Sequence, residues 1–117
     1  MTPLENLVGA HLDTWNSPSG PQRARAIATV YSTDVFVGEP GGALRGHRGV
    51  EQAIAGLQAQ LPGAAITRTG PIQMSQDLVT YIWSLGRPNG PTLASGRDVL
   101  LIRDDLISHL YVVIDAP

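Results

Sequence analysis

Apolar residues recur at helical spacing in three stretches of the chain. In the first, residues 4–15, they fall every three or four positions, and His11 lies on the same stripe. The second begins at Pro21, which suits the first position of a helix. The third covers about residues 46–61 and stops at a Pro-Gly pair. These stripes predict three amphipathic helices.

The rest of the pattern predicts β-structure. Residues 35–37 are β-branched or aromatic and predict a short strand between the second and third helices. Later apolar runs, separated by turn residues, predict four further strands: 65–74 with a break near Gly70, 78–85, 97–103 and 106–114. Helices grouped before a strand meander predict an α+β fold, with three N-terminal helices covering one face of a curved antiparallel sheet. A cavity between these layers is a natural small-molecule site.

Composition narrows the class of protein. The chain has 117 residues, the size of one domain, and 43% of them are hydrophobic. A net charge of −2 with no basic cluster argues against nucleic-acid binding. All basic residues are arginine and cysteine is absent, which excludes lysine Schiff bases and thiolate chemistry. Without a signal pattern or a membrane-length apolar run, we expect a bacterial cytoplasmic protein.

Short motifs lie in a fixed order along nearly the whole chain: Trp15-Asn16, Tyr31-Ser32-Thr33-Asp34-Val35, Glu39-Pro40, Arg45-Gly46-His47-Arg48-Gly49-Val50-Glu51, Gly96-Arg97-Asp98-Val99-Leu100 and Ile107-Ser108-His109-Leu110-Tyr111, closed by Asp115. Their order and spacing resemble the nuclear-transport-factor-2-like superfamily, in its SnoaL-like and ketosteroid-isomerase branch. The resemblance implies a single SnoaL-like domain over residues 1–117, a cone-shaped cystatin-like roll. It also implies one pocket for a small apolar molecule, steroid-like or polyketide-like.

The resemblance implies roles for three polar residues. In ketosteroid isomerases a carboxylate moves a proton beside a carbonyl, while a tyrosine and a neutral aspartic acid donate hydrogen bonds to the enolate oxygen. Glu39 matches the position of the base, where the family usually has aspartate. Asp98 matches the neutral acid, and His11 matches the tyrosine. The longer glutamate changes the reach of the base by about 1.5 Å.

The residues themselves support these roles in part. Asp98 alternates with Leu100 on a strand face that is otherwise apolar, where a carboxyl group is expensive to ionise, so we expect a neutral hydrogen-bond donor. The alternatives are a salt bridge with an arginine or an edge position facing water. His11 should point inward, either as a donor to an oxyanion or as a core histidine bonded to a neighbour. Glu39 could instead be an exposed residue at a strand end.

Large side chains should form the wall of the pocket. We expect ligand contacts from seven residues: Trp15, Tyr31, Phe36, Leu57, Trp83, Leu100 and Val112. Trp83 could instead lie at a dimer interface, for which His109 is also a candidate. We expect a homodimer, because the outer face of such a sheet carries apolar residues. His47 is expected to be solvated, and the spacing of the histidines predicts no metal site; no cofactor is expected.

Three functions remain open from the sequence. The first is a cofactor-independent acid–base enzyme that isomerises a small apolar carbonyl compound through an enolate. The second is a non-catalytic protein that binds a hydrophobic ligand. The third is a SnoaL-like polyketide cyclase or an epoxide-opening enzyme; the positions that correspond to the catalytic residues of those enzymes hold Tyr81, Trp83 and Val112, which counts against it.

Overall fold

A computed structural model of the chain describes residues 2–115 and contains three helices and seven strands. In chain order these are α1 (Pro3–Trp15), α2 (Pro21–Val30), β1 (Tyr31–Glu39), β2 (Gly42–Arg45), α3 (Gly46–Gln60), β3 (Ala65–Arg68), β4 (Gln73–Ser75), β5 (Leu78–Gly86), β6 (Thr92–Arg103) and β7 (Leu106–Ile114). The predicted α+β class and the three helices are confirmed.

Local sequence signals explain how the helices begin. Thr2 and Glu5 form a capping box at the start of α1, in which each side chain bonds to the backbone N–H of the other residue. Pro21 occupies the first turn of α2, where its missing N–H leaves no bond unmade. Gly46 opens α3 with φ +74°, a left-handed conformation that favours glycine. None of the helices in residues 2–115 is long and apolar enough to cross a membrane.

The strands form one curved sheet in the order β2-β1-β7-β6-β5-β3, with β4 also paired to β5. The C-terminal strands pair antiparallel, as the pattern predicts, whereas β1 and β7 pair parallel. The sheet is therefore mixed, because β1 pairs antiparallel with β2 on one side and parallel with β7 on the other.

Three strand boundaries differ from the sequence prediction. The strand expected at 35–37 extends over all of β1 and forms a hairpin with the unpredicted β2. The run expected at 65–74 divides into β3 and β4, which both pair with β5. β6 begins at Thr92 rather than at residue 97. Short polar or glycine-containing segments carry little hydrophobic periodicity, so neighbouring strands determine these boundaries.

The two faces of the sheet differ in their surroundings. The inner face packs against the helices, and Val35, Leu100 and Leu110 on it are fully buried. On the outer face, Tyr111 and Val113 are 40% and 49% exposed. Exposed apolar side chains on this face were the reason for expecting a homodimer. The homodimer stays a prediction.

Phe36 and two other ring side chains form a cluster on the outer face. The ring of Phe36 lies 6.0 Å from that of His109 and 5.4 Å from that of Tyr111, measured between centroids. His109 therefore faces away from the space between sheet and helices. His47 is half-buried rather than solvated. Its Nε2 donates a hydrogen bond to the Tyr31 carbonyl oxygen at 2.9 Å.

Candidate functional site

A cavity of about 430 Å³ lies between the inner face of the sheet and helices α1 and α3. Its lining is mostly aliphatic and aromatic, with four polar side chains: Glu39, Gln52, Gln60 and Asp98. The volume lies in the range of about 300–1,000 Å³ typical of small-molecule sites. The cavity therefore suits a small, mostly apolar molecule with a few polar groups.

The polar side chains lie at two levels of the cavity. Asp98 is only 6% exposed and lies at the inner end, which we call the floor. Glu39, Gln52 and Gln60 are exposed and surround the opening, which we call the mouth. A ligand in the cavity would meet one buried carboxyl group and one carboxyl group in contact with water.

Strand alternation turns Asp98 toward the floor. Asp98 and Leu100 share the inner face of β6, and Tyr81 on β5 and Val112 on β7 are its cross-strand neighbours. Tyr81 Oη donates a hydrogen bond to Asp98 Oδ2 at 2.7 Å. The Nε2 atom of His11 lies 3.0 Å from the same oxygen. Asp98 is thus bonded to a histidine and a tyrosine, and not to the arginine of the salt-bridge alternative.

His11 extends these contacts into α1 and β1. Its Nδ1 lies 2.5 Å from Tyr31 Oη, and Trp15 Nε1–H donates to the same hydroxyl at 3.1 Å. Burial raises the pKa of the Tyr31 hydroxyl, and the negative charge of Asp98 raises it further. Burial and Asp98 also raise the pKa of Tyr81. Both tyrosines are therefore neutral hydroxyl groups able to donate.

Glu39 occupies the last position of β1, beside Pro40 at the mouth. Partial burial raises the pKa of its carboxyl group above the usual range for glutamate. Within residues 2–115 its carboxyl group makes no hydrogen bond or ion pair with a protein side chain. Glu39 therefore faces the cavity mouth with its bonding capacity free for water or a ligand.

The structure brings together only some of the residues expected in the pocket. Trp15, Leu57, Trp83 and Val112 line the cavity, as do the candidate catalytic residues Glu39 and Asp98. His11 and Tyr31 do not line it, because they lie behind Asp98 and bond to each other. Leu100 is buried in the core, and Phe36 is on the outer face of the sheet. His11 thus reaches the cavity only through Asp98.

Two features of the site were missed from the sequence. The first is the hydrogen bond from Tyr81 to Asp98, which depends on the register between β5 and β6. Gln52, Gly56 and Gln60 line the mouth and share one face of α3. Their four-residue spacing was the available signal, since residues at that spacing lie one above another on a helix.

Neither a cluster of metal ligands nor the aspartate expected of a SnoaL-type cyclase is found at this site among residues 2–115. Among residues 2–115, no group of three or more histidine, aspartate or glutamate side chains is arranged to hold a metal ion. Val112 stands where the resemblance to SnoaL-type cyclases would lead one to expect an aspartate, and it presents an apolar side chain to the cavity. Ionisable chemistry in the cavity is carried by Asp98 and Glu39.

Comparison with known proteins supports the fold through structure rather than sequence. No family model matches the chain, and no curated protein matches it in sequence. A solved structure of a candidate isomerase of the SnoaL-like family from Agrobacterium tumefaciens superposes with a TM-score of 0.90 at 20% identity, covering 99% of this chain and 100% of that one.

Two further solved structures extend the comparison. A candidate ketosteroid isomerase from Kribbella flavida gives a TM-score of 0.74 at 16% identity, over 98% of this chain and 79% of that one. A candidate polyketide cyclase from Sinorhizobium meliloti gives 0.73 at 13% identity, over 96% and 99%. The chain therefore adopts the nuclear-transport-factor-2-like fold, in the form found in SnoaL-like proteins and ketosteroid isomerases.

Proposed function

We propose that the protein is a cofactor-independent acid–base enzyme that isomerises a double bond in a small, mostly apolar carbonyl compound. The observation that carries this proposal is the presence of two carboxyl groups, Asp98 and Glu39, in one otherwise apolar cavity. Proton transfer beside a carbonyl needs a group that takes the proton and a polar group that stabilises the enolate oxygen.

The surroundings of the two carboxyl groups support a division of labour. Asp98 is held in one orientation by Tyr81 and His11. Glu39 faces the mouth, and partial burial raises the pKa of its carboxyl group, which favours the neutral form that can donate. Pairs of acids in such different environments are typical of acid–base sites. Gln52 and Gln60 add amide N–H groups that could bond a substrate oxygen.

The cavity lining favours an apolar substrate. Trp15, Leu57 and Trp83 line the same cavity as the two carboxyl groups and offer it large apolar surfaces. Steroid-like and polyketide-like ketones combine such a surface with the carbonyl group that the reaction requires. We propose this substrate class, with no cofactor.

The test measures turnover of a panel of β,γ-unsaturated ketones by the ultraviolet absorbance of the conjugated product. We expect activity in the wild type and a loss of about 10²–10⁴-fold in Asp98→Asn, the size of a general acid–base contribution. Glu39→Gln should also lose activity. Asp13→Asn is the matched control, because Asp13 is exposed on α1 away from the cavity. Unchanged rates in both cavity variants would remove the basis of the proposal.

A second candidate is a non-catalytic protein that binds a hydrophobic ligand. The exposure of Glu39 and its lack of a bonded partner within residues 2–115 favour this candidate, because catalytic acids are usually held by neighbours. Tight binding of the same ketones, recovered chemically unchanged after long incubation with wild-type protein, would decide for it.

A further inference from the structure

Five buried side chains form one continuous hydrogen-bonded chain that ends at the cavity floor. It runs from Trp15 through Tyr31 and His11 to Asp98, and Tyr81 joins it at Asp98. The most exposed of the five, Trp15, is only 7% exposed. Water therefore cannot replace a missing partner at most of these atoms. Each hydrogen-bond donor needs an acceptor among these five side chains.

The chemistry of Trp15 fixes the direction of these bonds. An indole N–H can only donate, so Tyr31 Oη accepts at that contact. The Tyr31 hydroxyl proton then has one neighbouring acceptor, His11 Nδ1. His11 must carry its own proton on Nε2, which faces Asp98. The opposite tautomer would leave the buried Tyr31 proton without an acceptor among residues 2–115, at a cost large enough to disfavour it.

Asp98 Oδ2 therefore accepts two hydrogen bonds. His11 Nε2–H and the Tyr81 hydroxyl donate to that single oxygen. Two hydrogen bonds donated to one carboxylate oxygen favour the ionised form. Within residues 2–115 no side chain donates to the other oxygen, Oδ1, and Asp98 lines the cavity. The oxygen left for a ligand is an acceptor.

We infer that Asp98 is an ionised carboxylate whose Oδ1 accepts a hydrogen bond or a proton from the cavity ligand. In the proposed reaction, on which this second role rests, Asp98 and not Glu39 is then the base. This differs from the expectation drawn from the family, in which Asp98 is a neutral donor and Glu39 takes the proton.

In this reaction the Asp98 carboxylate both takes the proton and returns it. The C–H bond beside the carbonyl breaks, its proton moves to Asp98 Oδ1, and its electron pair forms the enolate. Asp98 is then a neutral acid and returns the same proton to the far carbon of the conjugated system. The double bond shifts, Asp98 is again ionised, and no oxidant, reductant or metal takes part. Glu39, when neutral, is the donor to the enolate oxygen.

A ligand-binding experiment tests the charge of Asp98 without relying on turnover. The probe is 4-nitrophenol, whose phenol and phenolate forms absorb at different wavelengths. An ionised Asp98 should bind the neutral phenol and raise the apparent pKa of the bound probe. Asp98→Asn should weaken binding of the neutral form by roughly tenfold or more, whereas Glu39→Gln should change it by less. Binding as phenolate, or equal affinity in wild type and Asp98→Asn, overturns the inference.

Two further readouts separate this inference from the proposed function. In ¹⁵N NMR of the wild type, the His11 signal, assigned with a His11→Gln variant, should show a protonated Nε2; an unprotonated Nε2 overturns the inference. In the turnover assay, Asp98→Asn should lose more activity than Glu39→Gln, and the reverse order overturns the assignment of Asp98 as base. If no ketone is turned over while the probe binds as neutral phenol, the proposed function fails and the ionised Asp98 stands.

Discussion

The floor and the mouth of the cavity each present one carboxyl group in opposite settings. At the floor, Asp98 is buried and bonded by His11 and Tyr81, and His11 is itself bonded to Tyr31. At the mouth, Glu39 is exposed and makes no such bonds within residues 2–115. The floor acid is fixed in orientation and in the direction of its hydrogen bonds, whereas the mouth acid can follow whatever ligand is bound.

This difference indicates which part of the cavity can change most easily. A substitution at the floor leaves buried donors without acceptors, so it disturbs several side chains at once. A substitution at the mouth is compensated by water. A ligand in the cavity would therefore meet a fixed floor at Asp98 and an adaptable mouth lined by Glu39, Gln52, Gly56 and Gln60.

The largest expected effect contrasts the two carboxyl groups directly. Asp98→Ala removes the acceptor for both His11 and Tyr81, and breaking such a buried pair typically destabilises by about 3–5 kcal/mol. Glu39→Ala, at an exposed position, should change the free energy of unfolding by about 0.5 kcal/mol or less. Urea unfolding followed by tryptophan fluorescence measures both.

A second variant tests whether lost hydrogen bonds cause that destabilisation. Asp98→Asn keeps a carbonyl oxygen that can still accept from both donors, so it should be clearly more stable than Asp98→Ala. Equal losses in the two variants would attribute the effect to packing, and a loss below about 1 kcal/mol in both would contradict a tightly bonded floor.

A smaller loss of stability is expected at Tyr31, which lies two hydrogen bonds from Asp98. Tyr31→Phe removes the hydroxyl that accepts from Trp15 and donates to His11, leaving two buried polar atoms unpartnered. We expect a destabilisation of about 2 kcal/mol. Tyr111→Phe is the control, because it removes a hydroxyl group from an exposed ring on the outer face. Equal stability of the two variants would show that the Tyr31 hydroxyl is not essential to the hydrogen bonds that link Trp15 and His11.

The layers of the fold were predictable because they follow from periodicity. Three apolar stripes gave α1, α2 and α3, and alternation gave most of β5, β6 and β7. The strand β2 was missed because Gly41 and Gly42 indicate a turn, and its pairing with β1 is a tertiary contact. The parallel pairing of β1 with β7 joins residues far apart in sequence, which no local pattern encodes.

Prediction of the candidate site was limited in the same way, because its hydrogen bonds are tertiary contacts. Alternation along a strand placed Asp98 on the inner face, and the helical stripe turned His11 inward. The bonds of His11 to Tyr31 and of Tyr81 to Asp98 depend on how α1 packs and on strand register. From the sequence, Asp98 was expected to be a neutral hydrogen-bond donor, because its contacts with His11 and Tyr81 could not be foreseen.

Replacing a glycine at the mouth should change the stability by a smaller amount and in the opposite direction. Gly56 lies within α3, and a Cβ atom there would meet nothing within 4 Å. Gly56→Ala should therefore stabilise the protein by about 0.5–1 kcal/mol through helix propensity while narrowing the mouth. Gly9→Ala in α1 has the same open surroundings and is away from the cavity, so it should stabilise without changing ligand affinity. Calorimetry and probe binding check both; a destabilised Gly56→Ala contradicts an open mouth.

The smallest expected effect is the pH dependence contributed by Glu39. Burial raises the pKa of this carboxyl group in the folded protein above its usual range, so the folded state keeps a proton that the unfolded chain has released. The free energy of unfolding must then fall as pH rises from the unfolded pKa through the folded one. Subtracting the pH profile of Glu39→Gln from that of the wild type isolates this decline. A difference that instead rises with pH would mean that the mouth, like the floor, stabilises a carboxylate.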